Sequence, residues 1–239
     1  MGFIFNFKTS TKAQDQFTEA LTKLFDSGED SDFTVQCGNV VWKLHRVILR
    51  AGSEYFRNAC QKDRFKARIS GMLELKDDDS QVAGLLLRYF YTHDYQVDDN
   101  GNAPHIVHAP LVVHAHMYAI ADKYGVTLLK DIAKEKFTTF LQDIRSKGAA
   151  SLDIPAFATA IGVIYTTTLA SDRGLRDAIV PVMVAFETQL RASDDFMALI
   201  RGTLADGDFA VDVIDAWADM RNAASSSWSC GNCGRLRQP

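Results

Sequence analysis

One short β-hairpin pattern constrains the fold of this chain more than any other feature, because most of the remaining sequence has helical spacing. Apolar and polar residues alternate from Phe33 to Cys37 with the period of two that a half-buried strand requires. Gly38-Asn39 and the run Val40 to Leu44 follow, and this order is typical of two antiparallel strands joined by a two-residue turn. Residues 72–75 predict a third strand. The sequence therefore predicts a small sheet within a largely helical chain.

Helical spacing of apolar residues marks the rest of the chain. Residues 13–25 predict an amphipathic helix that Gly28 ends, and Ser53 is placed to cap the second of two short helices within 46–60. Asp77 to Asp79 stand where the N-terminus of the next helix favours negative charge, and Pro181 is expected to kink a later helix. Residues 96–110 predict a polar loop. The remaining predicted helices cover 82–90, 111–124, 128–141, 155–167, 173–190 and 208–221.

Charge, length and cysteine content restrict the classes of partner and compartment. The 239 residues include 26 basic and 30 acidic side chains, a net charge of −4, which argues against binding nucleic acid through its phosphates. A chain of this length builds a core without disulfides, and four cysteines are too few for a secreted disulfide scaffold. The longest uncharged stretch, 154–171, contains Pro155 and Gly162 and predicts no membrane span. We therefore expect an intracellular protein, cytoplasmic or nuclear, that binds neither nucleic acid nor membrane.

Sequence motifs of common enzymes are missing. The chain has no G-x-G pair, no G-x-x-x-x-G-K-[ST], no H-E-x-x-H and no G-x-S-x-G. Four histidines lie between 105 and 116, but His114 and His116 point to different faces of a predicted helix, so we interpret them as structural. We expect no catalytic activity and no cofactor.

A C-x-x-C pair near the end of the chain is half of a zinc site. Two thiolates at the spacing of Cys230 and Cys233 can bind one ion, but no second pair follows them. Three interpretations therefore stay open: a flexible tail over 222–239 without metal, a zinc half-site, or a reactive thiol pair.

Six segments, in this order, resemble the BTB/POZ family. The chain has counterparts of five motifs of this family. They are the strand opening S-D-[FLV]-x-[VIL], the stretch F-x-[AV]-H-[RK]-x-[VI]-L, the strand end I-x-L-x-[DE]-[DE], the helix end Y-[IFL]-Y-T-G-x-Y and the helix Y-x-[LI]-A-[DE]-K-Y. Glu54 and His93 stand where the family often has proline and glycine. The matching segments are Ser31–Val35, Trp42–Leu49, Ser53–Phe56, Leu73–Asp78, Tyr89–Tyr95 and Tyr118–Tyr124.

The resemblance implies an α+β fold, a small three-stranded sheet flanked by α-helices, over residues 28–145. It leaves an N-terminal amphipathic helix within 1–27, and the all-helical part, 146–221, is similar to the C-terminal extensions of fungal BTB proteins. Residues that match the family pattern are interpreted as structural, either satisfying polar groups or filling the core: Asp32, His45, Ser53, Tyr89, Tyr91 and Tyr124.

The resemblance also implies a protein interaction module that acts as an adaptor or scaffold and commonly pairs with itself. Self-association is expected through the apolar face of the N-terminal helix, formed by Phe17, Leu21, Leu24 and Phe25. A remote alternative is a zinc- or thiol-dependent activity of the C-x-x-C pair.

Recruitment of a cullin ubiquitin-ligase scaffold is the main alternative that the resemblance implies. Cullin-binding members carry an apolar-x-Glu motif before the third strand, and the chain has Phe65-Lys66-Ala67 at that place. The missing acceptor is expected to cost about 1.5–3 kcal/mol of binding free energy. The surface expected to bind partners comprises Tyr55, Phe56, Phe65 and the helix that begins near Leu111.

Overall fold

The predicted hairpin is present in the computed structural model, which describes residues 11–60, 71–97, 109–202 and 207–226. Strands β1 (Phe33–Cys37) and β2 (Val40–Leu44) are antiparallel, and Cys37 pairs with Val40 across the two-residue turn. Gly38 has a φ of +56°, a left-handed conformation that glycine adopts without a steric penalty. Strand β3 (Met72–Glu74) lies parallel to β1, so the sheet order is β2-β1-β3.

Helices of the first half begin and end close to the predicted positions, except that the helix predicted over 128–141 continues to Lys147. The hydroxyl of Ser53 accepts from the backbone N–H of Phe56, and the carboxylate of Asp79 accepts from the backbone N–H groups of Gln81 and Val82, the second and third residues of α4. His93 ends α4 with a φ of +57°, and glycine ends α5 at Gly125. The helices are α1 (Thr11–Ser27), α2 (Arg46–Gly52), α3 (Glu54–Ala59), α4 (Ser80–Thr92), α5 (Pro110–Lys123) and α6 (Thr127–Lys147).

The core of the first half lies between the sheet and helices α2 to α5. Helix α4 contacts α1, α2 and α5, which places it at the centre of this packing. Its residues Tyr89, Phe90 and Tyr91 are all buried, as the helical spacing predicted. Among the largest side chains that are fully buried here are Leu44, Leu49, Phe56, Leu86, Leu87, Tyr91, Tyr95 and Met117.

Contacts divide the chain into two compact units, residues 1–133 and 134–239, with the division inside α6. In the described part of the second unit a 3-10 turn, Ala149–Ser151, precedes five further helices. They are α7 (Ile154–Thr167), α8 (Arg176–Ala185), α9 (Glu187–Arg191), α10 (Asp194–Gly202) and α11 (Asp208–Ser226).

The second unit departs from the sequence prediction in three places. The single helix expected over 173–190 is two helices that separate at Phe186, and Pro181 lies within α8 rather than at the break. Helix α10 was not predicted; it packs on α7, where Leu199 approaches Gly162. Helix α11 continues to Ser226, beyond the end predicted at 221.

A buried arginine fixes α11 against its neighbours in the second unit. Arg176 is 2% exposed and donates to the carboxylate of Asp208 at 3.1 Å and to the carbonyl oxygen of Thr168 at 3.0 Å. Next to it, Asp212 accepts from the Tyr165 hydroxyl and pairs with an arginine, both at 2.7 Å. Because a buried cation is costly unless it is paired, these contacts hold the N-terminal half of α11 in place.

Candidate partner-binding surfaces

A buried hydrogen-bond network joins the hairpin to helix α4. The hydroxyl of Tyr91 accepts from the backbone N–H of His45 at 3.0 Å and lies 2.9 Å from the ring Nδ1. The ring Nε2 lies 2.8 Å from the carbonyl oxygen of Glu29. Because a carbonyl only accepts, Nε2 carries the proton, and in the neutral ring Nδ1 then accepts from the Tyr91 hydroxyl. The network leaves each of these polar groups with a partner.

Asp32 and Arg46 lie at the start of α2, beside this network. The Asp32 carboxylate accepts from the backbone N–H of Arg46 at 2.8 Å, and the Arg46 side chain donates back to the carbonyl oxygen of Asp32. The contact satisfies one of the free N–H groups at the start of a helix.

Ser53 and Tyr124 connect the short helices to the end of α5. The Ser53 hydroxyl donates to the carbonyl oxygen of Tyr124 at 2.7 Å, while its oxygen caps α3. The Tyr124 hydroxyl donates to Asp78, whose carboxylate also pairs with Lys123 at 2.7 Å. Burial, and then the hydrogen bond to Asp78, raise the pKa of the Tyr124 phenol. These contacts join α3 to the end of α5.

Tyr55 is the aromatic side chain that α3 presents to solvent. Its ring packs edge-on against Phe56 at a centroid distance of 5.4 Å and against Tyr124 at 4.7 Å, yet the residue is 43% exposed. A partly packed, partly exposed aromatic ring is a common anchor in protein interfaces.

Two other residues predicted for the partner surface are in the core. Phe56 is fully buried against Phe90 and Tyr124, and Leu111 is 2% exposed. Consecutive residues of a helix point about 100° apart, so Phe56 faces inward where Tyr55 faces outward. Their prediction as surface contacts is therefore wrong. Phe65 lies outside the described residues.

The N-terminal helix is attached at one end and exposed at the other. The Phe25 ring packs edge-on against Tyr91 at 5.2 Å, and Arg88 lies over the same ring and pairs with Asp26 at 2.9 Å. Leu21 and Leu24 are half-buried, as is Phe25.

Phe17 is 65% exposed and lies at least one helical turn before Leu21, Leu24 and Phe25. Every residue from Lys12 to Phe17 is exposed. The predicted apolar face thus packs on α4 through Phe25 and leaves Phe17 accessible.

Two exposed apolar residues were missed as surface residues by the sequence prediction. Val47 is 74% exposed on α2, because it lies two residues, about 200°, from the buried Leu49. Val41 is 54% exposed on the edge strand β2, three residues before the buried Leu44. The spacing of each residue from the buried positions of the same element could have predicted its exposure.

Two cysteines of the first unit lie in the core with free thiols. The Cys37 thiol donates to the carbonyl oxygen of Asp78, and burial raises its pKa. Burial also raises the pKa of the Cys60 thiol, to about 11, so both are poor nucleophiles near neutral pH. Within the described ranges no group of three or more histidine, cysteine or acidic residues is placed to hold a metal ion. Cys230 and Cys233 lie outside those ranges.

Membrane insertion through a helix finds no support in the described part of the chain. None of the helices seen there combines the length and the apolar character needed to span a bilayer.

Comparison with known proteins identifies the first half of the chain. The family model of the BTB/POZ domain matches residues 21–141. Kelch-like protein 23 of Mus musculus is 30% identical over 99 residues, which are 40% of this chain and 17% of that protein. A BTB/POZ domain-containing protein of Arabidopsis thaliana is 23% identical over 197 residues, covering 80% of this chain and 79% of that protein. Among solved structures, the BTB domain of zebrafish PATZ1 aligns with a TM-score of 0.39 and 18% identity, over 55% of this chain and 96% of that one.

Proposed function

Because this chain belongs to the BTB/POZ domain family, whose members mediate protein–protein interactions and are generally non-catalytic, we propose that it is an adaptor or scaffold that self-associates through its N-terminal helix. The exposed side chain of Phe17 supports this proposal. It stands on an amphipathic helix whose other end is fixed to α4 by the Phe25 and Asp26 contacts. Covering this apolar side chain with a second copy removes apolar surface from water, which favours association.

The proposal includes three points that follow from the sequence. The chain catalyses nothing itself, it works inside the cell in the cytoplasm or the nucleus, and it divides into a BTB domain over 28–145 and a helical extension over 146–221. The low cysteine content and the missing enzyme motifs support the first two. The family match over residues 21–141 supports the position of the domain.

Sedimentation equilibrium of the chain at about 10 μM tests self-association. We expect a mass of about twice 26.5 kDa for the natural chain and a shift to one copy in Phe17→Asp. Val47→Asp is the matched control, because Val47 is an equally exposed apolar residue on α2 of the same unit. A natural chain that is monomeric, or a Phe17→Asp variant with unchanged mass, contradicts the proposal.

Recruitment of a cullin scaffold is a second candidate, and the exposed ring of Tyr55 favours it. Tyr55 belongs to the partner surface that the family resemblance implies, and the packing against Phe56 and Tyr124 holds the ring in one orientation. Since Ala67 stands in place of the motif glutamate, we expect weaker binding than in members that have the acid.

Calorimetry with the N-terminal domain of a cullin tests this second candidate. A dissociation constant near 1 μM, about −8 kcal/mol, that Tyr55→Ala weakens at least tenfold supports cullin recruitment through this surface. An Ala67→Glu variant that gains binding when the natural chain has none shows instead that the surface has kept its shape without the function.

A further inference from the structure

Three arginines lie together on the outer side of helices α2 and α3. Arg46 and Arg50 are four residues apart and therefore lie on one side of α2. The Arg57 side chain donates through Nε to the carbonyl oxygen of Arg50 at 3.2 Å, which brings a third guanidinium group to the end of α2. Arg50 and Arg57 are exposed, and Arg46 is half-buried. These three residues form the arginine cluster.

The buried thiol of Cys60 at the end of α3 indicates that the charges of the cluster converge. Burial raises the pKa of this thiol, and the charges of Arg46 and Arg50 act in the opposite direction, while Asp32 adds to the increase. Both guanidinium groups therefore lie near Cys60. Arg57 stands three residues before Cys60, one helical turn away, so the third charge belongs to the same surface.

The arginine cluster has no ion pair with a carboxylate among the described residues. By contrast, Arg88 of the same unit pairs with Asp26 at 2.9 Å. The Asp32 carboxylate accepts from the backbone N–H of Arg46, and Glu54 is exposed at the start of α3. Since like charges four residues apart on a helix repel each other, an anionic ligand would relieve this repulsion.

The charge of the sequence around the cluster has the same sign. Residues 46–68 include seven basic and two acidic side chains, a net charge of +5, although the whole chain has −4. The rest of the chain, with 19 basic and 28 acidic side chains, has −9. This excess of negative charge repels a long polyanion such as nucleic acid, whereas a short acidic segment contacts the cluster alone. Residues 61–68 lie outside the described residues and are not part of the proposed site.

Val47 adds an apolar contact beside the charges. It is 74% exposed and lies three residues before Arg50, on the same side of α2. Guanidinium groups bind carboxylates through paired, charge-assisted hydrogen bonds. Arginines beside an exposed apolar side chain therefore fit a peptide that has both carboxylates and an apolar residue.

We propose that the arginine cluster and Val47 bind a short acidic segment of a partner protein. Glutamate or aspartate of the segment pairs with Arg50 and Arg57, and an apolar side chain of the segment covers Val47. The inference rests on the proposed adaptor role, since it names the chemistry of a bound partner. It uses neither Phe17 nor Tyr55, so it is tested separately from self-association and from cullin recruitment.

Fluorescence anisotropy with the full chain and a labelled 12-residue peptide at low ionic strength tests the site. The peptide has glutamates on both sides of one leucine and serine or glycine elsewhere, and its twin has lysine in place of every glutamate. We expect the acidic peptide to bind with a dissociation constant below about 100 μM and its twin to bind at least about tenfold more weakly, because the sign of the charge decides the pairing. An acidic peptide that does not bind, or a twin that binds equally well, overturns the proposal.

Paired variants locate the binding. Arg50→Gln combined with Arg57→Gln is expected to weaken the acidic peptide about fivefold, because two ion pairs are lost. Lysine at both positions keeps the charge and should hold the affinity within about threefold of the natural chain; a loss as large as in the glutamine pair contradicts a site based on charge.

Arg145→Gln combined with Arg201→Gln is the matched control. Both are exposed arginines of the second unit, and their removal changes the net charge of the chain by the same amount. The affinity for the acidic peptide should stay within about twofold, since salt screens charges that lie far from the site. Equal weakening by the two glutamine pairs refutes the site.

Other ligands give different results. A 12-nucleotide oligothymidylate that binds as tightly as the acidic peptide indicates a general anion surface and overturns the choice of a protein segment. Serine in place of the peptide's leucine should weaken binding about threefold, because the apolar contact is lost; unchanged affinity overturns the role of Val47. Acidic-peptide binding that is unchanged in Phe17→Asp and in Tyr55→Ala leaves this inference standing when the self-association or the cullin proposal fails.

Discussion

Removing one hydroxyl group, by Tyr91→Phe, tests whether the buried network between the hairpin and α4 stabilises the first unit. The substitution keeps the ring, which is fully buried and packs against Phe25 and His45. It removes the oxygen that accepts from the His45 backbone N–H at 3.0 Å and that lies 2.9 Å from the ring Nδ1. Two polar groups of His45 then lose their partner in a place that water does not reach.

The expected loss follows from the cost of unpaired buried groups. A buried donor or acceptor without a partner costs about 1–3 kcal/mol, so two such groups lower the free energy of unfolding by about 2–6 kcal/mol. Tyr89→Phe is the control, because Tyr89 is also buried on α4 while no hydrogen bond of its hydroxyl is found among the described residues. That variant should change the free energy of unfolding by less than about 0.5 kcal/mol.

Urea unfolding followed by tryptophan fluorescence measures both variants. In a background with Trp217→Phe and Trp228→Phe, Trp42 on strand β2 is the reporter and the transition belongs to the first unit. The slope of free energy against urea should stay the same, so that a shift in midpoint is a change in stability. A loss below 1 kcal/mol for Tyr91→Phe, or equal losses for the two variants, refutes the reasoning.

Three further substitutions or conditions have expected outcomes in the same assay. His93→Gly should raise the free energy of unfolding by about 0.5–1 kcal/mol, because His93 has a φ of +57° that costs less in glycine; no gain contradicts this. Gly52→Ala should lower it by about 1–3 kcal/mol, since the added Cβ would lie 2.2 Å from Cδ1 of Phe90, and an unchanged midpoint contradicts that clash. The Cys60 thiol has a pKa of about 11 in the folded chain against its usual 9.0, so above pH 9 the unfolded chain loses this proton first. The natural chain should therefore lose about 1.4 kcal/mol per pH unit between pH 9 and 11 relative to Cys60→Ala, with the full contribution present below pH 9; parallel pH profiles refute this.

Elements with a strong local signal were predictable from the sequence. The hairpin follows from alternation and its Gly38-Asn39 turn, and the caps at Ser53 and Asp79 follow from residue type and position. Helix α10 was missed because it is short, although Asp194 in its first turn and the spacing of Phe196 and Leu199 are signals of a helix start. Residue patterns within a segment therefore predict the secondary structure and the caps of that segment.

The partners of the polar residues could not be read from the sequence. His45 and Ser53 were predicted to be structural, but His45 bonds to Tyr91 46 residues away and Ser53 bonds to Tyr124 71 residues away. Residue type indicates that a polar group needs a partner when it is buried, while only the fold decides which groups meet. The same limit explains the wrong placement of Leu111, since an apolar residue at the start of a helix fits a core and a binding surface equally well.

Tyr55 and Phe56 differ in exposure, and this difference determines which aromatic side chain of α3 a partner can contact. Phe56 has no exposed surface, so its truncation would leave a cavity in the core and unfold the site rather than report on binding. Tyr55 packs edge-on against Phe56 and Tyr124 and is 43% exposed. Any partner that docks on α3 therefore contacts one aromatic side chain, Tyr55, whose orientation is set by its packing on the core. Of the two aromatic residues, only a substitution of Tyr55 can show by loss of binding that α3 is an interface.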